Sequence, residues 1–355
     1  MMLRVCHVCS SLSQGGLARV VVDLGAEPMK GVELSLIATA FPGVHWPERG
    51  GAWARRTVIQ RRSKLARYGE LFRLFRSWKP QVVHSHHEAY APIIARCARV
   101  PVRVETIHNA TAWRSLGHPL VHAARRRCVT RYVAVSDGLR SQLVGDGILP
   151  AASVVALPNG VSVGPSLLSR PLRNPITIGT VARFDREKGL EFLLDAFASL
   201  RPSYPGARLL LVGDGPSRSA LAAHIAALGL NGAVILPGYV ADTRAFLRRM
   251  DLFVLPSLDE TFGLALAEAM AEGVPVVASD LPGPASLCGH EREGLLVPPG
   301  DAAAIADACR RLLDDPNLRA RLTHAAYNRV KSEFSLERTR EAHRELYLSL
   351  LGHAA

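Results

Sequence analysis

The chain has 355 residues, more than one ordinary hydrophobic core accommodates and enough for two domains. Hydrophobic residues make up 48% and charged residues 21%, which excludes a chain disordered throughout. No uncharged apolar run reaches the roughly 18 residues of a transmembrane helix, and residues 1–8 lack the features of a signal peptide, so a cytoplasmic protein is predicted. The net charge of +12 attracts polyanions, but basic runs interleaved with aromatic residues are missing, so nucleic acid is not an expected partner.

Strand-like and helix-like segments alternate along the first 165 residues. A β-rich run at residues 4–9 precedes a turn-forming loop and a helix at 17–25. Apolar residues at helical spacing predict a second helix at 65–78, which ends before Pro80. Residues 42–54, rich in Gly, Pro and Trp, predict an irregular excursion. Further strands are predicted at 32–40, 82–86, 102–107, 132–135 and 154–157.

The alternation stops between residues 162 and 175, where turn formers predict a boundary, and then resumes. Strands separated by helices indicate parallel sheets covered on both faces. The prediction is therefore an α/β chain with two Rossmann-like domains, residues 1–165 and 175–335, facing each other across a cleft. A helix at 336–355 is expected to pack back toward the first domain. The strands expected in the second domain are 176–181, 209–212, 234–236, 252–255 and 274–278.

Residues 251–271 predict a strand, a short loop and a helix that carry two carboxylates. Glu260 falls at the start of the helix, and Glu268 lies about two turns farther on. Carboxylates there can accept hydrogen bonds from sugar and ribose hydroxyls, while helix-terminal amides hold a diphosphate. Alternatively, Glu260 is a charge favoured by the helix dipole and Glu268 faces solvent. The amides expected at this terminus belong to Thr261, Phe262, Gly263 and Leu264.

Two cations follow the first strand of the second domain. Arg183 and Lys188 can clamp diphosphate oxygens, although a solvated charged loop is the alternative. Gly15 and Gly16 follow the first strand of the chain, but the full Gly-x-Gly-x-x-Gly pattern is missing, so a nicotinamide cofactor is not expected. A tight turn without a ligand is the other interpretation of this glycine pair.

Histidines and cysteines are the remaining candidates for chemistry. His108 follows a strand and is expected to face the cleft, although a lone histidine is often structural. His84 and His86 share one strand face, but no further ligand set is evident, so no metal is predicted. Cys6 and Cys9 have no matching second pair, and reduced buried thiols are expected.

Together these segments resemble the retaining glycosyltransferases of family 4, also called glycosyl transferases group 1, which have the GT-B fold. Two departures are that Ala182 stands where the family often has Gly, and that Ala285 follows Pro284 where Glu is frequent. The matching pieces are Ser13-Gln14-Gly15-Gly16, Val133-Ala134-Val135-Ser136, Pro158-Asn159-Gly160-Val161, Ala182-Arg183 with Lys188-Gly189, Gly213-Asp214-Gly215-Pro216, Glu260 with Glu268, and residues 294–301.

The resemblance implies a UDP- or GDP-linked sugar as donor substrate, a glycan or lipid-linked acceptor, and no metal or cofactor. It also implies retention at the anomeric carbon and a place in bacterial surface polysaccharide or glycolipid synthesis. A nucleotide-sugar epimerase of the same fold and a non-catalytic basic binding protein are the alternatives. The implied contacts are Glu260 and His108 with the transferred sugar, Glu268 with the ribose, and Arg183, Lys188 and Gly16 with the diphosphate.

Residues 119–127 predict a basic amphipathic helix in the first domain. Its three consecutive arginines would be attracted to an anionic membrane, each contributing about 1 kcal/mol. The sequence thus predicts peripheral attachment to the inner face of the plasma membrane, with an ordinary surface helix as the alternative.

Overall fold

The computed structural model describes residues 2–10, 16–39, 51–61, 63–115, 119–164 and 171–353. The chain divides into two compact units. Unit 1 comprises Met1–Gly160 and Leu336–Ala355, and unit 2 comprises Val161–Ser335. None of the helices in the described ranges is long and apolar enough to cross a membrane.

Unit 1 contains a parallel seven-stranded sheet in the order β3-β2-β1-β4-β5-β6-β7. Its strands are mostly buried on both faces, as expected for a parallel sheet covered by helices. The strands are β1 (Leu3–Cys9), β2 (Val32–Ala38), β3 (Trp53–Val58), β4 (Val82–His86), β5 (Val102–Ile107), β6 (Arg131–Ala134) and β7 (Val154–Ala156). The helices are α1 (Gly16–Leu24), α2 (Lys64–Trp78), α3 (Ala91–Cys97), α4 (Ala110–Ser115), α5 (Pro119–Cys128) and α6 (Asp137–Gly145).

Strand β3 shows that the irregular segment predicted for residues 42–54 is wrong at its C-terminal end. Residues 42–50 lie outside the described residues, but Trp53 and Ala54 belong to β3, which pairs with β2 and is the edge strand of the sheet as described. Its Arg55 and Arg56 are exposed, so the strand lacks the alternation of apolar and polar residues by which strands are recognised in a sequence. An edge strand of this kind carries little hydrophobic signal.

Unit 2 contains a parallel six-stranded sheet in the order β10-β9-β8-β11-β12-β13. The two predicted α/β sheets are thereby confirmed. The strands are β8 (Thr177–Val181), β9 (Arg208–Val212), β10 (Val234–Gly238), β11 (Leu252–Leu255), β12 (Val276–Ser279) and β13 (Leu295–Val297). The helices are α7 (Leu190–Leu200), α8 (Arg218–Ala227), α9 (Thr243–Leu247), α10 (Leu264–Ala271), α11 (Pro282–Leu287), α12 (Ala302–Asp314) and α13 (Pro316–Glu333).

The last helix, α14 (Leu336–Gly352), belongs to unit 1 although it follows unit 2 in the chain. Its Tyr347 and Leu350 are buried in the same apolar cluster as Val5 and Val82 from the central strands. On the same helix, Arg340 donates to a carboxylate oxygen of Glu27 at 2.7 Å. Helix α14 is therefore an integral part of the first unit's core.

Candidate active site

The loop that carries Arg183 is fixed by close backbone contact with the loop after β9. The Phe184 amide donates to the Asp214 carbonyl at 2.9 Å. A Cβ on Gly213 would lie 1.8 Å from the carbonyl oxygen of Ala182, and Gly213 has a φ of +137°. Only glycine allows this approach. The Gly-Asp-Gly-Pro segment thus shapes the loop that presents Arg183.

The far end of the same loop is fixed to the loop after β11. A Cβ on Gly189 would lie 2.2 Å from the Pro256 carbonyl oxygen, and Gly189 has a φ of +58°. The Leu258 amide donates to the carbonyl of Glu187 at 2.8 Å. These contacts hold Lys188, which lies between Glu187 and Gly189, beside the loop that carries Glu260.

Lys188 and Glu260 form an ion pair, Nζ to Oε2, at 3.1 Å. Their side chains are only 21% and 16% exposed, so the pair is partly shielded from water. Arg183 is more open, at 67% exposure, and contacts Asp185 at 3.1 Å. The structure therefore brings one predicted cation and one predicted carboxylate into direct contact, with the second cation nearby in the same loop.

Helix α10 begins at Leu264, directly after Gly263, whose φ is +98°. Thr261 and Phe262 precede the helix, so their amides lie in the loop just before its N-terminus, and their part in donor binding stays a prediction. Phe262 is buried and packs edge-on against Phe334, with ring centroids 6.1 Å apart. The structure leaves Gly263 and Leu264 as the predicted anion-facing positions at the helix start.

Glu268 lies on α10 and is half-buried. It accepts a hydrogen bond from Thr243 Oγ1 of α9 at 3.0 Å. One turn later, Glu272 forms ion pairs with Arg244 and, at 2.7 Å, with Arg248. The alternative of an exposed, solvent-facing Glu268 is therefore wrong, and Thr243 is a neighbour that sequence reasoning missed.

His108 lies in unit 1 at the carboxyl end of β5 and is half-buried. Its Nε2 lies 3.2 Å from Nδ1 of His86. Burial, followed by the charges of His87 and His343, lowers the pKa of His108 to about 3. His108 is thus neutral at pH 7 and lies beside the buried His86.

No further ligand set beside His84 and His86 was evident from the sequence, but the structure places a third histidine, His7, next to them. His7 pairs with His84 in the β1–β4 register, which places both side chains on the face shared with His86. One ring nitrogen from each of the three lies within 4.8 Å of the others. The strand order, which the sequence alone does not give, creates this group.

Gly16 begins α1 and is exposed, whereas Gly15 lies outside the described residues. Cys6 and Cys9 are free and buried, as expected. Burial raises the pKa of the Cys9 thiol to about 12, so it is protonated and unreactive at neutral pH.

Comparison with known proteins assigns both parts of the chain. Residues 14–164 match Glycosyltransferase Family 4, and residues 169–329 match Glycosyl transferases group 1. A phosphatidyl-myo-inositol mannosyltransferase of Mycobacterium leprae is 32% identical over 89% of this chain and 88% of its own length. The chain is a group 1 glycosyltransferase.

Two further comparisons agree with this assignment. A glycogen synthase of Mycobacterium tuberculosis is 31% identical to the glycosyltransferase over 77% of this chain and 70% of its own length. HepE of Anabaena, solved in complex with UDP-glucose, has a TM-score of 0.81 at 19% identity and covers 98% of this chain and 100% of its own. The second comparison shows that the glycosyltransferase has the GT-B fold.

Helix α5 of the glycosyltransferase differs from the predicted basic surface helix. Arg125 is fully buried, 3.5 Å from Oε1 of Glu105, and its Cζ lies 4.3 Å from the ring centroid of Trp113. Burial raises the pKa of Glu105 to about 7, opposed by the charge of Arg125. Only Arg126 and Arg127 of the three arginines are exposed. The prediction of three outward-facing cations is therefore wrong.

Proposed function

We propose that this glycosyltransferase transfers a sugar from a UDP- or GDP-linked donor to a glycan or lipid-linked acceptor, in bacterial surface polysaccharide or glycolipid synthesis. The observation that carries the proposal is the contact between Lys188 and Glu260 at the ends of adjacent strands in unit 2. A cation for phosphate and a carboxylate for hydroxyl groups are the complement of a sugar diphosphate. The relatives act as a glycogen synthase and a mannosyltransferase, which supports transfer over epimerisation.

The proposed roles follow from charge and position. Lys188 and Arg183 bind the diphosphate, and Lys188 exchanges its contact with Glu260 for a phosphate oxygen when the donor arrives. Glu260 then accepts hydrogen bonds from hydroxyls of the transferred sugar. The glycine start of α10 permits a phosphate to approach the backbone closely. Glu268 accepts from the ribose hydroxyls.

The reaction proceeds with retention and without a covalent glycosyl-enzyme. The bond from the anomeric carbon to the diphosphate oxygen breaks, and the acceptor oxygen bonds to the same face of that carbon. The acceptor hydroxyl gives its proton to the departing diphosphate, whose negative charge Arg183 and Lys188 stabilise. Since these cations balance the leaving-group charge, the proposal requires no metal ion and no cofactor.

The decisive experiment incubates the protein with individual nucleotide sugars, with and without candidate glycan and lipid-linked acceptors, in the presence of EDTA. We expect nucleoside diphosphate release that depends on acceptor, and NMR of the first-formed product should show the anomeric configuration of the donor. Conversion of the donor without acceptor would indicate an epimerase. Restoration of lost activity by magnesium would refute metal independence, and an inverted anomer would refute retention.

Replacing Glu268 should weaken binding of the nucleoside diphosphate. Glu268→Gln keeps the size of the side chain and removes its charge, and hydrogen bonds to charged groups are typically worth about 1.5–3 kcal/mol. Calorimetric titration should therefore show roughly ten- to hundredfold weaker binding. Glu272→Gln, at the C-cap of α10, is the matched control and should leave the affinity unchanged. Equal affinities for wild type and Glu268→Gln would remove Glu268 from the donor site.

We also propose peripheral binding to anionic membranes through the outer face of α5. This face presents Arg126, Arg127 and Leu120, the last with 74% of its surface exposed. Two cations at about 1 kcal/mol each give weak, salt-sensitive attraction. Sedimentation with phosphatidylserine vesicles should detect binding at low salt, lost in a variant with both arginines changed to Gln. Equal sedimentation of the two proteins would exclude this face.

A further inference from the structure

Glu88 of unit 1 is a buried carboxylate without a cationic partner. Four acidic residues are buried in the described part of the chain, and three of them form ion pairs. These pairs are Glu105 with Arg125, Asp251 with Arg173, and Glu293 with Arg329. Glu88 is only 7% exposed, and among the described residues it has no ion pair. Burying an unpaired charge is costly, so such an exception is typical of a functional position.

Glu88 lies where open α/β sheets bind their ligands. The strands that follow β1 in the chain are added on one side of it up to β3 and on the other side from β4 onward, so the strand order reverses between β1 and β4. Ligands bind outside the carboxyl ends of the strands at such a point. Glu88 lies two residues beyond β4 and accepts from the hydroxyl of Thr39, which follows β2. The Thr39 amide donates to the carbonyl of Cys9 at the end of β1. The Glu88–Thr39 contact therefore spans the carboxyl end of β1.

Aromatic rings and a cation border the Glu88 carboxylate. The ring of Tyr90 stacks on the ring of Tyr68 from α2, with centroids 4.6 Å apart. Burial, followed by the charges of Glu88 and Tyr90, raises the pKa of Tyr68 to about 12, so the Tyr68 hydroxyl is close enough to feel the carboxylate. Burial raises the pKa of Glu88, opposed by hydrogen bonds from Thr39 and Tyr90 and by the charge of Arg67. Elements α2, β2 and the loop after β4 thus converge on one carboxylate.

The polar atoms of this group do not satisfy one another. Glu88 accepts from the Thr39 hydroxyl and, at 3.4 Å, from the Tyr90 amide, whereas a carboxylate offers about four acceptor sites. Among the described residues, the Tyr68 hydroxyl has no hydrogen bond, and Nε of Arg67 is buried without a partner. Tyr68, Tyr90 and Arg67 are each half-buried, so a ligand can reach them. The group offers an acceptor, two donors and aromatic surface side by side.

We propose that Glu88 and its neighbours form a binding site for an uncharged saccharide. Glu88 accepts a hydrogen bond from a sugar hydroxyl, and Arg67 donates to a sugar oxygen. Tyr68 and Tyr90 supply aromatic surface for the apolar face of the sugar ring. A phosphate group would lie against a buried carboxylate, and like charges repel strongly there. That this saccharide is the acceptor of the transfer rests on the proposed function, whereas its binding does not, because the four residues belong to unit 1.

The test is saturation-transfer NMR of the full-length protein with millimolar methyl glycosides of glucose, mannose and galactose, without nucleotide sugar. We expect saturation transfer to at least one glycoside, whose titration gives a Kd. Glu88→Gln keeps the size of the side chain and removes its charge, so it should weaken binding about ten- to hundredfold. Glu33→Gln changes a carboxylate near the opposite end of β2 and should leave the Kd unchanged.

A second variant tests the aromatic surface and keeps the test valid if Glu88→Gln does not fold. Tyr90→Leu removes the ring but retains an apolar side chain, and it should weaken glycoside binding about two- to tenfold. Tyr239→Leu changes an exposed tyrosine of unit 2 and should have no effect. Circular dichroism establishes that each variant is folded before its Kd is compared with wild type.

Three results would overturn the proposal: no saturation transfer to any of the glycosides, a Kd in the folded variants equal to that of wild type, or displacement of the bound glycoside by inorganic phosphate. Transferase assays separate this site from the proposed function. Glycoside binding that the variants weaken, without sugar transfer from any nucleotide sugar, would refute the proposed function alone. Transfer to a glycoside with the same KM in Glu88→Gln as in wild type would refute this site alone.

Discussion

Acidification from about pH 7.5 to about pH 5.5 is expected to lower the contribution of four histidines to the free energy of unfolding of unit 1 by about 5 kcal/mol. Glu105, whose raised pKa of about 7 favours the folded unit as the pH falls, offsets part of this loss. Burial lowers the pKa of His7 and His108 to about 3 and the pKa of His84 and His86 well below the usual value of 6.5. The unfolded chain therefore takes up four protons below about pH 6.5 that the folded unit does not bind. Each contributes about 1.4 kcal/mol over this interval, and stability continues to fall toward the folded-state pKa.

Tryptophan fluorescence can follow this transition selectively. The four tryptophans of the chain all lie within Met1–Gly160, so their emission reports unit 1. Urea titrations at several pH values give the free energy of unfolding. His7→Asn should reduce the pH dependence by one proton, whereas His324→Gln, in unit 2, should not change it. A free energy that stays constant down to about pH 5.5 would show that these four histidines are hydrated or charged in solution.

Arg125→Met is expected to destabilise unit 1 by about 3–5 kcal/mol, the usual cost of removing one partner of a buried ion pair. In this variant Glu105 would keep the hydrogen bond that it accepts from Trp113 at 2.8 Å. It would lose Arg125, its ion-pair partner at 3.5 Å and the only one among the described residues. Methionine fills a similar volume, so the loss reports charge more than packing. Urea denaturation followed by fluorescence measures the effect.

Two variants isolate the cause of that loss. Arg126→Met changes the next residue of α5, which is exposed, and should alter stability by less than about 0.5 kcal/mol. Combining Arg125→Met with Glu105→Gln removes both charges and should recover most of the stability. If the double variant is as unstable as Arg125→Met, the loss comes from the contact of Arg125 with Trp113 instead.

The positions of strands and helices were largely predictable from the sequence, because apolar residues recur along each core element at the spacing typical of a strand or of a helix. Strand β5 was predicted with its observed bounds, and α2 ends before Pro80 as expected. Strand β3 was missed because an edge strand with exposed arginines has no apolar alternation. Arg125 was wrongly predicted to be exposed, because a run of three arginines indicates a surface position. Its burial is explained by the ion pair with Glu105, a residue from another element.

The candidate site was predictable where its residues are close in sequence. Glu260 and Glu268 lie on one loop and helix, so their chemistry could be inferred from spacing. Their partners come from other elements, Lys188 from the loop after β8 and Thr243 from α9, and depend on strand order. The group of His7, His84 and His86 was not predictable, because its members come from two strands, β1 and β4, that are far apart in the sequence.

Helix α14 also bears on how the chain folds as it is synthesised. The ribosome delivers all of unit 2 once Ser335 has emerged, so the second unit can be completed first. Unit 1, although its strands are made earlier, waits for Tyr347 and Leu350 to close its core over Val5 and Val82. A nascent chain stalled before α14 would carry a finished second unit and an open first unit with exposed apolar surface, which is a substrate for chaperones.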